Sequence, residues 1–249
     1  MTSLSIVNYY NTTPFLYALN KSALKHQLDI QLDIPSVCAQ KLKNNQVDIG
    51  LVPVAILPEL PAYEIISDYC IGANGKVDSV KLFSQVPLHE ITHVLLDYQS
   101  KTSVTLVQVL NKHYWKMPFV FVNATIGFEQ QIQGTTAAVI IGDRTFGIQN
   151  KYPYQYDLAE EWKKYSNLPF VFACWASCKK IEPTVIKTLN EVLASGVNHI
   201  DEAIASNPIA ISGFDEVDYL KNKISYHLDQ DKKTALNLFL SLMESTTKI

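Results

Sequence analysis

Short apolar runs rich in β-branched residues recur along this chain, and most are separated by stretches long enough for a helix. The runs are Leu4–Val7, Ile30–Ile34, Val47–Pro53, Tyr63–Ile66, Ile91–Asp97, Pro118–Val122, Ala137–Gly142 and Pro169–Trp175. Parallel strands cannot be joined by a tight turn and need a crossover of roughly a dozen or more residues. Strand-sized runs spaced by helix-sized ones therefore point to an α/β fold with mainly parallel sheets. From Pro183 onward the pattern changes. Val185, Leu189, Val192, Leu193, Val197, Ile200 and Ile204 fall at helical spacing, and Leu236–Met243 is a second apolar helical stretch. The C-terminal quarter is expected to be mostly helix.

A chain of 249 residues has room for one large domain or two small ones. Two segments, residues 82–91 and 169–178, have the composition of crossings between lobes. A chain that crosses twice builds lobe one from both ends, residues 1–88 with 175–249, and lobe two from the inserted middle, residues 89–174. A ligand cleft is then expected between them.

The formal net charge is -3, and no Lys/Arg cluster interleaves with aromatic residues, so nucleic acid is not an expected partner. The N-terminus, Met1-Thr-Ser-Leu-Ser-Ile-Val-Asn, has neither the basic nor the apolar stretch of a secretion signal. No apolar run approaches the roughly 20 residues that span a bilayer. A cytoplasmic protein without a membrane partner is the resulting expectation. Cys38, Cys70, Cys174 and Cys178 lack CxxC spacing and read as reduced thiols.

Three strand-to-helix junctions carry short hydroxyl or amide side chains where a helix should begin. They are Asn11-Thr12-Thr13-Pro14, Pro35-Ser36 and Ser100-Lys101-Thr102-Ser103. Helix N-termini present unpaired N–H groups and a positive dipole end, which suits carboxylates and phosphates. The same residue types also serve as ordinary N-caps. Their shared placement, beyond the carboxyl ends of strands, is what marks a cleft for a small molecule with more than one carboxylate. Arg144 is the only arginine, so bidentate guanidinium clamps are not the main recognition device.

His89-Glu90-Ile91-Thr92-His93 matches the HExxH zinc pattern, which needs both histidines on one helix face. Here the segment runs into a strand, where the two histidines would stand about 13 Å apart. Gly72-Ala73-Asn74-Gly75-Lys76 has the wrong spacing for a phosphate loop and reads as a surface turn. Neither a metal nor a cofactor is expected.

Several motifs, in order, resemble one family. These are Tyr10-Asn11-Thr12-x-Pro14, Val47-Asp48-Ile49-Gly50-Leu51-Val52-Pro53, Ser79-Val80-x-Leu82-Phe83-Ser84, Leu96-Asp97-x-x-Ser100-x-Thr102-Ser103 and Ile141-Gly142-Asp143. Asp157-Leu158-x-Glu160-x-Trp162 and Leu168-Pro169-Phe170-Val171-Phe172-Ala173-x-Trp175 complete the set. Together, over roughly residues 4–178, they resemble the chorismate dehydratases of the futalosine route to menaquinone. The resemblance implies a two-lobed fold of the type II periplasmic-binding-protein kind. It also implies loss of water from chorismate, a dicarboxylate, to give 3-[(1-carboxyvinyl)oxy]benzoate, without an obligate protein partner.

On that resemblance Asn11 and Ser79 are the expected catalytic residues. Thr12, Ser36, Val80, Ser100, Thr102, Ser103 and Asp143 are expected to contact substrate, Asp143 with a turn-capping role equally open. Trp162 and Trp175 read as packing residues. Two competing readings stand beside this one: 1,4-dihydroxy-6-naphthoate synthase of the same route, and a non-catalytic small-anion-binding protein. Gly134-Thr135-Thr136-Ala137 resembles a segment of the former, but the opening Tyr-Tyr-Asn-Thr-Thr-Pro does not.

Overall fold

A computed structural model describes residues 2–246. The chain opens with β1 (Thr2–Val7), α1 (Thr13–Lys21), β2 (Leu28–Asp33), α2 (Pro35–Lys43), β3 (Ile49–Pro53) and β4 (Glu64–Ala73). It then moves to a second group of elements: β5 (Val80–Ser84), β6 (His93–Leu96), α3 (Lys101–Leu110), β7 (Val120–Asn123), β8 (Thr136–Ile141), β9 (Tyr154–Asp157) and α4 (Leu158–Ser166). The return consists of β10 (Phe170–Ser177), α5 (Pro183–Asn198), α6 (Ile200–Ser206), the short α7 (Glu216–Asp218), β11 (Ser225–His227) and α8 (Gln230–Thr246).

Two sheets result, in the orders β11-β4-β10-β3-β1-β2 and β7-β6-β8-β5-β9. Each is parallel in one half, β3-β1-β2 and β8-β6-β7, where helices or long loops link the strands. The pairings of β10 with β3 and β4, of β11 with β4, and of β5 with β8 and β9 are antiparallel. The α/β expectation holds, while the sheets are mixed rather than mainly parallel. Every antiparallel pair includes a strand that enters or leaves its sheet by a crossing, and a strand arriving from the other lobe is free to run either way.

Both crossings lie upstream of the expected boundaries at 88/89 and 174/175. Val80–Ser84 pairs with β8 and β9, so the first crossing is the segment 74–79. Phe170 already pairs with Ala73 of the first sheet, so the second crossing ends before it. The polar stretch around Pro87 is only a turn after β5. The apolar run from Phe170 is apolar because β10 lies between β4 and β3 in the sheet interior, with every residue buried.

One carboxylate ties the first crossing to the start of α4. Asp157 caps α4 by accepting from Ala159 N and Glu160 N, and its other oxygen accepts from Val77 N at 3.0 Å and Asp78 N at 2.7 Å. Asp78 sits at φ 65°, a left-handed conformation that costs a non-glycine residue energy unless its surroundings enforce it. The Asp157 bond and an ion pair from the buried Lys81 at 2.8 Å supply that enforcement. Ser79 follows directly, and its direction is fixed by this clamp.

The first lobe's core forms where α1 and α5 cross. Phe15 packs against Tyr69, Trp175 and Tyr226. Gly196 lets α5 approach so closely that a Cβ there would stand 2.2 Å from the Pro14 carbonyl oxygen. Trp162 is fully buried among Tyr165, Phe170 and Phe239 and donates to the Pro169 carbonyl at 3.0 Å. Both tryptophans expected to pack therefore lie in the core. Fully burying a side chain of this kind contributes about 1.5–3 kcal/mol. Among the described residues no helix is long and apolar enough to cross a membrane.

Candidate active site

Between the lobes lies a cleft with about 530 Å³ of empty space, counting its open mouth. Its wall is mostly apolar, from Val7, Pro35, Pro53, Ile71, Val77, Val80, Ile141 and Phe172 among others. The polar side chains on it are those of Tyr9, Asn11, Ser79, Ser100 and Ser103. No histidine, lysine or arginine is among the lining residues. Among the described residues no group of three or more His, Cys, Asp or Glu side chains is arranged to hold a metal. His93 opens β6 while His89 lies in the preceding 3-10 turn, so the two do not share a helix face.

Asn11 sits in a 3-10 turn, Tyr10–Thr12, at the carboxyl end of β1. Thr12 is fully buried, and its hydroxyl bonds back to the Val7 and Tyr9 carbonyls at 2.7 Å each, which folds the turn onto the strand. The Tyr226 hydroxyl donates to the Asn11 carbonyl at 3.0 Å. With its backbone held, Asn11 turns its side chain inward, where Oδ1 is buried without a hydrogen-bond partner among the described residues. An unsatisfied buried acceptor of this kind costs about 1–3 kcal/mol. Such a cost is tolerated where a ligand will satisfy it.

Ser79 is buried at the end of the first crossing. Its carbonyl accepts from Gly142 N at 2.8 Å, and its hydroxyl oxygen accepts from the Tyr219 hydroxyl at 2.8 Å. The Asn11 side chain lies beside the same phenol. Asn11, Tyr219 and Ser79 thus form one polar group in an otherwise apolar wall. Burial pushes the Tyr219 phenol far above its ordinary value, with Ser79 and Asn11 opposing that rise. Sequence reasoning passed over Tyr219 because it lies in the helical tail, beyond the stretch carrying the motifs. The break in helical pattern at residues 207–215 was the only available signal.

On the second lobe the wall is the start of α3. Ser100 caps the helix, its Oγ accepting from Ser103 N at 3.2 Å and meeting Ser103 Oγ at 3.0 Å. Thr102 does not line the cleft. It accepts from Ala55 N at 3.2 Å and joins the lobes instead. Ser36 is exposed in the first turn of α2, where Pro35, not Ser36, reaches the cleft. Val80 is among the residues that line it.

Asp143 likewise spans the lobes, both its oxygens accepting from Tyr10 N at 3.0 and 3.1 Å. Burial pushes its carboxyl up to about 6, and the Tyr10 N–H partly offsets this. Beside it, Gly142 has φ 64°, and a Cβ there would lie 3.0 Å from the Tyr9 ring. Tyr9 therefore closes onto Gly142 while its hydroxyl reaches Gln99. Arg144 is held away from the cleft by Asp97 and by Glu129 at 2.9 Å.

Several known proteins are similar to this chain in architecture or in sequence. A protein of Archaeoglobus fulgidus, AF1704, superposes with a TM-score of 0.75 at 13% identity, covering 99% of this chain and 98% of its own. The CA3427 gene product of Candida albicans, described as having the generic periplasmic binding protein fold, superposes with a TM-score of 0.63 at 14% identity over 100% and 92% of the two chains. The two-lobed architecture is thus that of periplasmic binding proteins. In sequence, chorismate dehydratase of Thermus thermophilus is 23% identical, with 95% of this chain and 93% of that protein covered. The family described as menaquinone biosynthesis matches residues 2–245. Its match across nearly the whole chain, with the likeness to a dehydratase of comparable length, makes this chain a member of the menaquinone biosynthesis family.

Proposed function

We propose that this protein removes water from chorismate to give 3-[(1-carboxyvinyl)oxy]benzoate. The observation that carries the reading is the Asn11–Tyr219–Ser79 group: a buried unpartnered acceptor and a buried hydroxyl side by side in an apolar cleft. The likeness to a full-length relative bearing the dehydratase name supports the choice of substrate.

The reaction breaks a ring C–H bond and the neighbouring ring C–O bond, and the electrons left in the ring complete an aromatic sextet. Aromatisation makes the step downhill, so the protein's task is to hold one reactive conformer and exclude rearrangement. Holding reacting groups in place contributes about 7–11 kcal/mol in favourable cases. The substrate's own enolpyruvyl carboxylate takes the ring proton and hands it to the departing hydroxide, which leaves as water. Substrate dianion thus becomes product dianion plus water, with no redox partner needed. Asn11 Oδ1 accepts from the ring hydroxyl, and Ser79 donates to the oxygen as charge develops on it. A ring carboxylate faces the start of α3, where Ser100, Ser103 and the positive end of a ten-residue helix favour negative charge. Thr102 and Asp143 act by holding the lobes together.

Purified protein incubated with chorismate alone tests the reading by ultraviolet absorbance and product mass. The expected product is aromatic and lighter by one water. Chorismate recovered intact, whether bound or ignored, would sink the proposal.

A further inference from the structure

Resting on the reading above, we propose that Tyr219 is a positioning residue that keeps the hydroxyl hydrogen of Ser79 directed into the cleft. The argument is one of hydrogen-bond polarity. The Tyr219 hydroxyl is the donor in its bond to Ser79. The single phenol hydrogen is thus committed to Ser79 Oγ at 2.8 Å. Ser79 receives that hydrogen, and its own is left to point at whatever occupies the cleft. Burial keeps the phenol protonated, so the hydrogen that Ser79 receives stays in place.

The ring is fixed by packing independent of these bonds. Tyr219 begins a π-helical turn, Tyr219–Lys223, a distortion found often at functional sites. Phe146 of the second lobe lies 5.1 Å from it and Phe214 5.3 Å, and these two stack on each other at 3.8 Å. The preceding segment is pinned through Glu216, which accepts from Tyr10 Oη at 2.7 Å and from Ile209 N at 2.5 Å. The tail thus delivers a phenol to the crossing at a set height. A substrate ring hydroxyl placed between Ser79 and Asn11 then accepts from one and donates to the other, and the stranded Oδ1 is satisfied.

Tyr219→Phe removes the hydroxyl and leaves the ring and its packing. In the full-length protein it is expected to lower kcat for chorismate about 10–100-fold, with KM within about threefold. Because Tyr219 acts through Ser79, the double variant Ser79→Ala/Tyr219→Phe should be within about twofold of Ser79→Ala alone. Wild-type kcat in Tyr219→Phe overturns the inference while leaving the proposed reaction standing, and so does a double variant in which the two losses multiply, as general loosening would produce. A wild-type protein inert toward chorismate removes the proposed reaction, and this role with it.

Discussion

On the first lobe the cleft wall is a tight turn carrying an unpartnered amide oxygen, while on the second it is a helix start whose hydroxyls already satisfy one another. The first arrangement costs stability in the empty protein, and the second contributes to it. A wall that is unstable alone is made for one occupant, because only a group of matching polarity at that spot relieves it. A capped helix start offers a diffuse positive field that many anions would accept. The asymmetry assigns chemistry to the Asn11–Ser79 side and carboxylate attraction to the α3 side.

The largest expected effects therefore fall on the first wall. Ser79→Ala is expected to lower kcat/KM for chorismate by about 100-fold or more, in the range seen when a donor to developing negative charge is removed, and Asn11→Ala by a similar factor through loss of the acceptor that orients the ring hydroxyl. Asn11→Ala carries a second signature. Removing an unsatisfied buried acceptor should leave the melting temperature equal to or above that of the wild type, the trade-off expected of a group kept for function. Steady-state kinetics with thermal melts would check both at once. Unaltered turnover in either variant would erase the distinction between the walls.

Ser103→Ala on the opposite wall should act on binding instead. The helix dipole and backbone N–H groups remain, so KM is expected to rise about three- to tenfold with kcat nearly kept. Ser100→Ala should add a stability loss of about 1 kcal/mol, because Ser100 is the N-cap of α3. A fall in kcat without change in KM for Ser103→Ala would move the chemistry to the second lobe.

Much of this division could be read from the chain. The apolar runs at Leu4–Val7, Val47–Pro53 and Ala137–Gly142 became β1, β3 and β8 because buried strands announce themselves by continuous hydrophobicity. β9, with two tyrosines, a glutamine and an aspartate, does not, since it lies at a sheet edge half in solvent. The helix starts were legible as positions but not as roles. Whether a threonine hydroxyl faces ligand or its own backbone depends on the turn it sits in, and Thr12 faces the backbone. Tyr219 was illegible for a different reason: its partners are 140 and 208 residues away in sequence, at Ser79 and Asn11, and no local pattern encodes such a meeting.

The contact that joins the two walls provides the finest test of how they are kept in register. Asp143 receives the Tyr10 N–H across the cleft, and burial raises its carboxyl from the ordinary 3.8 to about 6. A carboxyl raised in the folded state binds its proton more tightly there than in the unfolded chain. Its contribution to stability is fully present below about pH 4 and is lost as the pH climbs through about 6. Asp143→Asn keeps a carbonyl oxygen for Tyr10 but cannot ionise. The wild-type melting temperature is therefore expected to fall relative to Asp143→Asn by a few degrees between about pH 4 and pH 6.5. Parallel curves for the two proteins over that range would mean that the Asp143 carboxylate is fully solvated. The lobes would then be standing further apart there than the Tyr10–Asp143 contact requires, and the two walls would meet only around a ligand.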